Sequence, residues 1–293
     1  MTVRRSMLFL PGNTPNIIIN GEVLGADAVI LDLEDAVAPS EKDSARILVR
    51  NAIGKMGFGR CEVIVRINST DTEEWTKDLD AILPTKPSLI MPPKTSCAAD
   101  VRRVDEYITH LEARLGFARN TVRLIPLIET ALGVENAFQI ASASPRVAAI
   151  FLGGEDLTAD LRCRRTKAGN EIAYARARMV MAARAAGVDV YDTPFTDVND
   201  DEGIYADAEY AKILGFTGKS AISPRHVNAI NEVFSPTTAE IDYAYEVMDA
   251  IHAAQAQGRG AVALRGKMID APIVARARQN IEAAESLGLD RRA

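Results

Sequence analysis

The stretch Val122–Gly133, V-R-L-I-P-L-I-E-T-A-L-G, predicts a short buried strand that ends at Glu129 and continues directly into a helix. The strand residues are almost all apolar, which is typical of a strand buried on both faces of a parallel sheet. A carboxylate at the end of such a strand is costly to bury unless a cation or hydrogen bonds compensate its charge. The stretch therefore predicts a parallel α/β fold and points to Glu129 as a candidate functional residue.

A second stretch, V-A-A-I-F-L-G-G-E-D-L, repeats this pattern. An apolar strand, Val147–Leu152, is followed here by Glu155 and Asp156. Glu129 and Asp156 are 27 residues apart. This is about one βα unit of a (β/α)8 barrel, whose roughly 250 residues divide into eight units. Because two consecutive strands would bring both carboxylates to the same mouth, the sequence predicts a divalent metal site.

Apolar runs of strand length recur along the chain, with amphipathic or alanine-rich segments between them. This pattern predicts a parallel sheet with crossover helices. We expect a (β/α)8 TIM barrel, since a closed barrel is the simplest architecture for eight units, and a doubly wound open sheet is the alternative. No G-x-G-x-x-G motif follows the first strand, which argues against a Rossmann dinucleotide site. The predicted strands are Ser6–Leu10, Ala28–Leu33, Glu62–Ile67, Ser88–Met91, Val122–Ile128, Val147–Leu152, Val188–Tyr191 and Lys219–Ile222.

The residues after the eighth unit predict a helical extension. We assign residues 1–234 to the barrel and residues 235–293 to the extension, and no low-complexity linker separates them. The pair Ser235–Pro236 predicts a helix start with proline in the first turn, and this helix should reach about Gln257. A glycine-containing loop follows, and a last helix should begin at about Ala271. The extension either packs on its own barrel or reaches a neighbouring subunit.

Composition and charge exclude several classes of protein. Of the 293 residues, 47% are hydrophobic and 25% are charged, as in a soluble globular protein. The net charge of −6 argues against a nucleic-acid partner or an anionic membrane surface. No apolar run is long enough to span a membrane, and Pro11–Gly12 ends the apolar N-terminus too early for a signal peptide. We therefore expect a cytoplasmic protein without nucleic-acid or membrane partners.

Cysteine and histidine are too few and too scattered to form a soft-metal site. The three cysteines can form neither a disulfide framework nor a C-x-x-C zinc site, and the three histidines are not at metal-ligand spacing. Any metal should therefore be a hard ion held by oxygen, Mg²⁺ in the first place and Mn²⁺ as the alternative.

The chemistry of such a barrel lies at the carboxyl ends of its strands. The residues there are rich in carboxylates and include Arg66 and Lys94, but no cysteine, histidine or Ser–His pair. Nucleophilic hydrolysis therefore has little support. The inventory fits an anionic substrate that is bridged through Mg²⁺ to protein carboxylates, with Arg66 in direct contact with a substrate oxygen. We also assign Glu34 and Lys94 to substrate binding.

The metal ligands and Arg66 also have purely structural interpretations. Glu129 and Asp156 lie at predicted helix starts, where a carboxylate can cap backbone N–H groups and meet the positive end of the helix dipole. Arg66 could instead be a structural partner of Glu34 or Asp35.

Lys94 and Asp270 have alternatives of their own. Lys94 could form a salt bridge at the rim of the barrel, or could be the Schiff-base lysine of an aldolase that needs no metal. Asp270 precedes the segment A-P-I-V-A-R-A-R, and this position predicts a plain N-cap for the last helix.

Eight motifs, in order from residue 4 to about residue 273, resemble those of one family. The chain is similar to the citrate lyase beta subunits and malyl-CoA lyase-like, metal-dependent aldolases of the HpcH/HpaI family. A single motif would be a weak signal, whereas eight in order are specific. The motifs are R-R-S-M-L-F-L-P-G, G-A-D-A-V-I-L-D-L-E-D-A-V, V-R-I-N, P-P-K-T, I-E-T-A-L-G, G-G-E-D-L, G-F-T-G-K-S-A-I-S-P-R-H and G-K-M-I-D-A-P.

This resemblance implies a (β/α)8 barrel in which Glu129 and Asp156 bind Mg²⁺ and Arg66 contacts the substrate. It also implies a homo-oligomer, a trimer or a larger assembly such as a hexamer, in which the C-terminal tail crosses to a neighbouring subunit and presents Asp270 as an acid/base group. Many relatives with free CoA-ester substrates carry His before Pro-x-Gln at the end of strand eight, where this chain has S-P-R-H, Ser223–His226. The thioester carrier therefore stays open between free CoA and the CoA-like arm of an acyl carrier protein.

The activity implied by the resemblance is that of a carbon–carbon lyase that cleaves a 3-hydroxyacyl thioester by retro-Claisen chemistry. A citryl thioester, which gives oxaloacetate and an acetyl thioester, is the first expectation, and malyl-CoA or citramalyl-CoA is the alternative. Asp270 would protonate the enolate carbon. Citrate lyase alpha and gamma subunits would then be partners. Two other classes stay open, a Schiff-base aldolase through Lys94 and a non-catalytic subunit of a complex, although a scaffold has no physical need for an acidic metal pair.

Overall fold

The computed structural model describes residues 3–59, 61–256 and 262–289. The chain packs as two compact units, a larger one, Arg4–Glu232, and a smaller one drawn from Val233–Ala293. Within the described residues, no helix is long and apolar enough to cross a membrane.

The larger unit is built on one parallel sheet, and each of the eight predicted apolar runs contributes to it. The α/β class and the parallel pairing expected from the sequence are thus confirmed. The order of the strands across the sheet is β5-β4-β3-β2-β1-β9-β8-β7-β6. The strands are β1 (Ser6–Pro11), β2 (Ala28–Asp32), β3 (Glu62–Arg66), β4 (Leu89–Met91), β5 (Arg123–Leu124), β6 (Leu127–Ile128), β7 (Ala149–Leu152), β8 (Asp189–Asp192) and β9 (Gly218–Ala221).

The predicted single strand Val122–Ile128 is divided into β5 and β6, which is a correction to the sequence prediction. Pro126 lies in the gap, and proline has no N–H group to donate to a neighbouring strand. The segment nevertheless contacts a strand on each side. The Ile125 N–H donates to the Ile90 carbonyl at 2.9 Å, and the Phe151 N–H donates to the Pro126 carbonyl at 3.0 Å.

Helices connect the strands, as the alternating sequence pattern predicts. Local signals fix their ends: in α4, the Asp100 carboxylate accepts the Cys97 N–H at 2.9 Å, and Gly116 ends the helix in a left-handed conformation with φ 71°. The helices of this unit are α1 (Pro15–Ile19), α2 (Lys42–Lys55), α3 (Glu74–Ile82), α4 (Ala98–Leu115), α5 (Ala131–Glu135), α6 (Ala137–Ala141), α7 (Gly154–Asp160), α8 (Ala173–Ala186) and α9 (Asp201–Leu214). Helix α10 (Val227–Phe234) follows β9.

Apolar side chains from most of the strands form one core cluster of the sheet. Phe151 is central to it, since its ring lies 6.0 Å from the Phe9 ring and 6.2 Å from the Tyr191 ring, centroid to centroid. Full burial of such a side chain contributes about 1.5–3 kcal/mol to folding. Because this core holds the strands, it also fixes the positions of the polar residues that follow them.

A buried cluster of charged side chains joins β8 and β9 to α8 and α9. Arg176 of α8 donates to both oxygens of Asp192 in β8, at 2.9 and 2.8 Å, and to Asp207 of α9 at 2.7 Å. Lys219 of β9 completes the cluster with a 2.7 Å bond to Asp192. Removal of one member of a buried ion cluster typically costs about 3–5 kcal/mol. The cluster therefore fixes the end of β8 firmly.

The smaller unit has its own core and its own elements. Helix α11 (Thr238–Ala256) packs against α12 (Ala271–Leu287) around Ala244, Val247, Ile269 and Ala277. Strands β10 (Val262–Leu264) and β11 (Lys267–Ile269) form an antiparallel hairpin where the sequence predicted only a loop, and residues 257–261 of that prediction lie outside the described residues.

The predicted helix starts differ in outcome. The last helix begins at Ala271 as predicted. Helix α11 begins at Thr238 and not at Ser235–Pro236. Thr237 and Glu240 explain this difference, because they form a reciprocal capping box: the Thr237 hydroxyl accepts the Glu240 N–H at 3.2 Å and the Glu240 carboxylate accepts the Thr237 N–H at 2.8 Å.

Candidate active site

The carboxyl ends of the strands surround a cavity of about 510 Å³. Its apolar wall includes Phe9, Leu127, Phe151 and Ile222, and its polar lining includes Asp32, Asp35, Arg66, Glu129, Glu155, Asp156 and Thr193. Of the predicted site residues, Arg66, Glu129 and Asp156 are therefore brought together at one cleft.

Glu129 is the most perturbed acid of this cleft. Its side chain is almost fully buried, at 2% exposure, and its Oε1 accepts the backbone N–H of Lys94 at 2.7 Å. Burial, the Asp156 charge and the Glu34 charge together raise the pKa of Glu129 to about 9. Gly153 allows the chain to approach this carboxylate, because a Cβ atom there would lie 2.6 Å from Glu129 Oε2.

Asp156 lies in the first turn of α7 and is half-buried. Its carboxylate has no hydrogen-bond or ion-pair partner among residues 3–59, 61–256 and 262–289. Neither acid is the N-cap of its helix, since the Thr130 hydroxyl caps α5 and Gly153 occupies the N-cap position of α7, although Asp156 does lie at the positive end of the α7 dipole.

The two carboxylates fit a hard divalent cation. The Asp156 charge raises the cost of ionising Glu129, and neither carboxylate forms an ion pair with a cationic side chain in the described part of the chain. That part contains no group of three or more His, Cys, Asp or Glu side chains arranged around one metal position. Mg²⁺ does not require such a group, because it keeps several waters and commonly binds through one or two carboxylates. Glu129 and Asp156 could therefore hold Mg²⁺.

Arg66 is surrounded by three carboxylates from the end of β2 and the loop after it. Its Nε and Nη2 atoms bind the two Asp32 oxygens at 2.7 and 2.6 Å. Its Nη1 atom lies 3.1 Å from Glu34 and 3.5 Å from Asp35. Burial opposes its charge, but the bonds to Asp32 and the other two carboxylates outweigh burial and raise the pKa of Arg66. The structural ion pairing considered for Arg66 is thus present. Of the three Arg66 nitrogens, Nη1 is the one that pairs with Asp35, whose side chain is half-exposed.

Glu34 and Lys94 lie beside Arg66 and form a pair of their own. Lys94 Nζ is 2.8 Å from Glu34 Oε1, as the rim salt-bridge interpretation expected. Burial raises the pKa of Glu34, against the opposing charges of Arg66 and Lys94. Burial disfavours the Lys94 ammonium, but the bond to Glu34 outweighs it and raises the pKa of Lys94. A Schiff-base lysine must lose its proton to react, so this environment opposes that role.

Asp270 belongs to the smaller unit, where it caps α12. Its Oδ1 atom accepts the Ile273 N–H at 3.1 Å, so the predicted N-cap is confirmed. The carboxylate is exposed within this unit.

Asp32 and Thr193 lie in the cleft but received no role from the sequence. Asp32 is the bidentate partner of Arg66, but in the run D-L-E-D nothing distinguishes it from Glu34 and Asp35. Thr193 is buried at the end of β8, and its hydroxyl accepts the Gly154 N–H at 2.9 Å. Only its position, two residues after the predicted strand Val188–Tyr191, could have indicated it.

Comparison with known sequences identifies similar enzymes. The profile of the family described as HpcH/HpaI aldolase/citrate lyase matches residues 5–224. The citrate lyase subunit beta of Leuconostoc mesenteroides subsp. cremoris is 41% identical over 284 residues, covering 97% of this chain and 94% of that protein. The L-malyl-CoA/beta-methylmalyl-CoA lyase of Cereibacter sphaeroides is 35% identical over 303 positions, covering 97% and 95%.

Solved structures of similar sequence share the fold. The protein CitE from Mycobacterium tuberculosis, in complex with magnesium, acetoacetate and coenzyme A, has a TM-score of 0.77 at 30% identity and matches 97% of this chain and 98% of that chain. The citrate lyase beta subunit of the same organism, complexed with oxaloacetate and magnesium, has a TM-score of 0.67 at 30% identity, covering 80% and 98%.

Proposed function

Since this chain belongs to the HpcH/HpaI aldolase/citrate lyase family, we propose that it is a Mg²⁺-dependent lyase that cleaves a 3-hydroxyacyl thioester. The family predicted from the motifs is confirmed, and membership makes the chain a carbon–carbon lyase. We propose citryl-CoA or citryl-acyl carrier protein as the substrate, because relatives near 40% identity are citrate lyase beta subunits. A malyl-CoA or citramalyl-CoA lyase is the second candidate, favoured by the relative that acts on L-malyl-CoA.

One observation carries this proposal: Glu129 and Asp156 line one cleft, the Asp156 charge raises the pKa of Glu129, and neither carboxylate forms an ion pair within the described residues. Two carboxylates that repel each other destabilise a folded protein. Such groups with strongly perturbed pKa values cluster at functional sites. When bound there, Mg²⁺ would polarise the oxygens of the oxo-acid half and lower the pKa of the reacting hydroxyl group. Mn²⁺ would fit the same oxygen ligands.

The reaction breaks the bond between the thioester α-carbon and the carbon that carries the hydroxyl group. The hydroxyl proton passes to solvent water, the carbonyl of the 2-oxo acid forms, and the electron pair of the broken bond passes to the thioester as an enolate. Protonation of the enolate carbon gives the acetyl thioester.

Arg66 is proposed to bind a substrate oxygen through Nη1. Its other two donor atoms are held by Asp32, which fixes the plane of the guanidinium group. Asp35 lies 3.5 Å from Nη1 with a side chain that is 52% exposed, so a substrate oxygen can replace it at little cost. Glu34 and Lys94 are proposed to adjoin the substrate and to keep the charge around Arg66 balanced.

Asp270 is proposed as the proton donor to the enolate carbon, in a homo-oligomer whose subunits share their sites. The family resemblance supports this role, and the exposed carboxylate at the start of α12 is compatible with it. We also propose a trimer or a hexamer, and association with citrate lyase alpha and gamma subunits if the substrate is carried by an acyl carrier protein.

We infer further that the sheet closes into a (β/α)8 barrel. Apart from β1 and β9, the first and last strands, which pair with each other, neighbouring strands follow one another in sequence across the sheet, with β5 and β6 at its two ends. These two pieces are separated by only two residues, and the segment that contains them hydrogen-bonds to β4 on one side and to β7 on the other. A closed barrel accounts for this pattern, whereas a doubly wound open sheet does not.

An activity assay tests the proposal. Purified protein should release a 2-oxo acid from citryl-CoA in the presence of Mg²⁺, faster than from malyl-CoA or citramalyl-CoA, and EDTA should stop the release. Activity that survives EDTA, or absence of cleavage of all three thioesters, would reject it.

A further inference from the structure

The first turn of α7, which carries Asp156, lacks a side-chain cap of its own. The N-cap residue is Gly153, and it has no side chain that could accept a backbone N–H. The first N–H groups of a helix have no partner within the helix, so they need acceptors from elsewhere. The Gly154 N–H finds its acceptor on another strand, in the hydroxyl of Thr193 at 2.9 Å.

This contact is close and buried. Thr193 is 0% exposed, and a Cβ atom on Gly154 would lie 2.7 Å from its hydroxyl oxygen. On the other side of the turn, a Cβ atom on Gly153 would lie 2.6 Å from Glu129 Oε2. The two glycines therefore run between Thr193 and Glu129, and only glycine permits both approaches.

Thr193 is itself held by the buried charge cluster behind β8. Its backbone carbonyl accepts a bond from Lys219 Nζ at 2.6 Å, and Lys219 also binds Asp192, the residue before Thr193, at 2.7 Å. The Ser220 hydroxyl donates to the Asp192 carbonyl at 2.9 Å. These bonds hold the backbone of Thr193 in place. Its hydroxyl group can therefore hold the first turn of α7, which it contacts through the Gly154 N–H.

We propose that Thr193 is a positioning residue of the metal site, whose hydroxyl sets the first turn of α7 so that the Asp156 carboxylate faces Glu129. This inference rests on the proposed function, in which these two acids bind Mg²⁺. It predicts that removal of the Thr193 hydroxyl weakens Mg²⁺ binding even when no substrate is present.

Four proteins test it by calorimetric titration with Mg²⁺ in the absence of substrate: wild type, Thr193→Val, Thr193→Ser and Thr193→Ala. Valine keeps the shape and removes the hydrogen bond, and the Ser and Ala variants differ from each other only by the hydroxyl group. We expect Thr193→Val and Thr193→Ala to bind Mg²⁺ on the order of 10-fold more weakly than wild type, the effect of one buried hydrogen bond. Thr193→Ser should stay within about 2-fold of wild type, as expected when the hydrogen bond is kept.

Thr217→Val is the matched control, because the Thr217 hydroxyl also accepts a backbone N–H, that of Val190 at 3.2 Å, before β9 and away from the acids of the cleft. It should bind Mg²⁺ like wild type. Unchanged affinity in Thr193→Val and Thr193→Ala, or equal losses in Thr193→Ser and Thr193→Ala, would overturn the inference. If Thr193→Val does not fold, the Ser and Ala pair decides. Absence of Mg²⁺ binding in the wild type would overturn the proposed metal site together with this inference.

Discussion

Glu129→Gln should make the metal-free protein more stable at neutral and alkaline pH, although it should destroy the metal site. The reason is the environment of the carboxyl group, which raises the pKa of Glu129 from 4.5 to about 9 in the folded protein. Between these two values the folded state binds a proton that the unfolded state has released. Stability from this group is complete below about pH 4.5 and is lost as the pH rises toward about 9.

The size of the effect follows from the same linkage. Each pH unit inside this window removes about 1.4 kcal/mol of unfolding free energy through one group, so the change from pH 6 to pH 8 removes about 3 kcal/mol. Glutamine resembles the protonated acid in shape and can still accept the Lys94 N–H, but it does not titrate. The unfolding free energy of Glu129→Gln should therefore exceed that of wild type by an amount that grows between pH 6 and pH 8.

Urea unfolding in EDTA, followed by tryptophan fluorescence, measures this difference in the larger unit. Trp75 is the only tryptophan of the chain, and it is buried on α3. With Mg²⁺ at about 100 times its dissociation constant, wild type should gain about 2.7 kcal/mol and the variant nothing.

Glu106→Gln, at an exposed position of α4, is the control and should follow the wild-type curve at every pH. Parallel curves for wild type and Glu129→Gln in EDTA would refute the assignment of a buried, repelled carboxylate at position 129.

Three further predictions concern the other residues of the site. Arg66→Lys should lower turnover by at least about 10-fold, or about 1.4 kcal/mol, because lysine keeps the charge but loses the planar fork held by Asp32; near-normal steady-state kinetics would make Arg66 a structural ion pair. Borohydride with substrate should leave Lys94 unmodified in a peptide mass map, since its bond to Glu34 keeps the amine protonated; a trapped adduct would support the Schiff-base mechanism. Asp270→Asn should keep the unfolding midpoint, because asparagine caps as well as aspartate, while cleavage falls by about 10²-fold. Mixing it with Glu129→Gln chains should restore activity, and no recovery after verified subunit exchange would count against shared sites.

The strands could be predicted from the sequence because a strand that is buried on both faces is apolar at nearly every position. Runs such as Val29–Leu31 are continuously apolar, and each predicted run overlaps at least one strand. The break in Val122–Ile128 was not predicted, although Pro126 is visible in the sequence. Proline removes only one N–H donor, and the segment still hydrogen-bonds to a strand on each side.

The partners within the site could be predicted only in part, because they are distant in sequence. The position of Glu129 at a strand end was readable, but its approach to the Lys94 N–H joins residues 35 positions apart. The Asp32 pairing of Arg66 and the Thr193 contact with Gly154 span 34 and 39 positions. Such contacts depend on strand order and register, which local patterns do not specify.

The hairpin of the smaller unit was missed for a different reason. Strands β10 and β11 have three residues each, too short for an alternating pattern to stand out from the glycine-containing loop around them. The start of α12 at Ala271, with Asp270 as its N-cap, was predicted because capping chemistry is local.

Calorimetric titration of Asp156→Asn and Glu129→Gln with Mg²⁺, beside the wild type, tests the proposed metal site most directly. Both variants should fold, as judged by Trp75 fluorescence, and neither should show saturable Mg²⁺ binding, while the wild type binds one ion per chain and loses its lyase activity when that ion is removed. Wild-type Mg²⁺ affinity in either variant would contradict the assignment of Glu129 and Asp156 as the metal ligands.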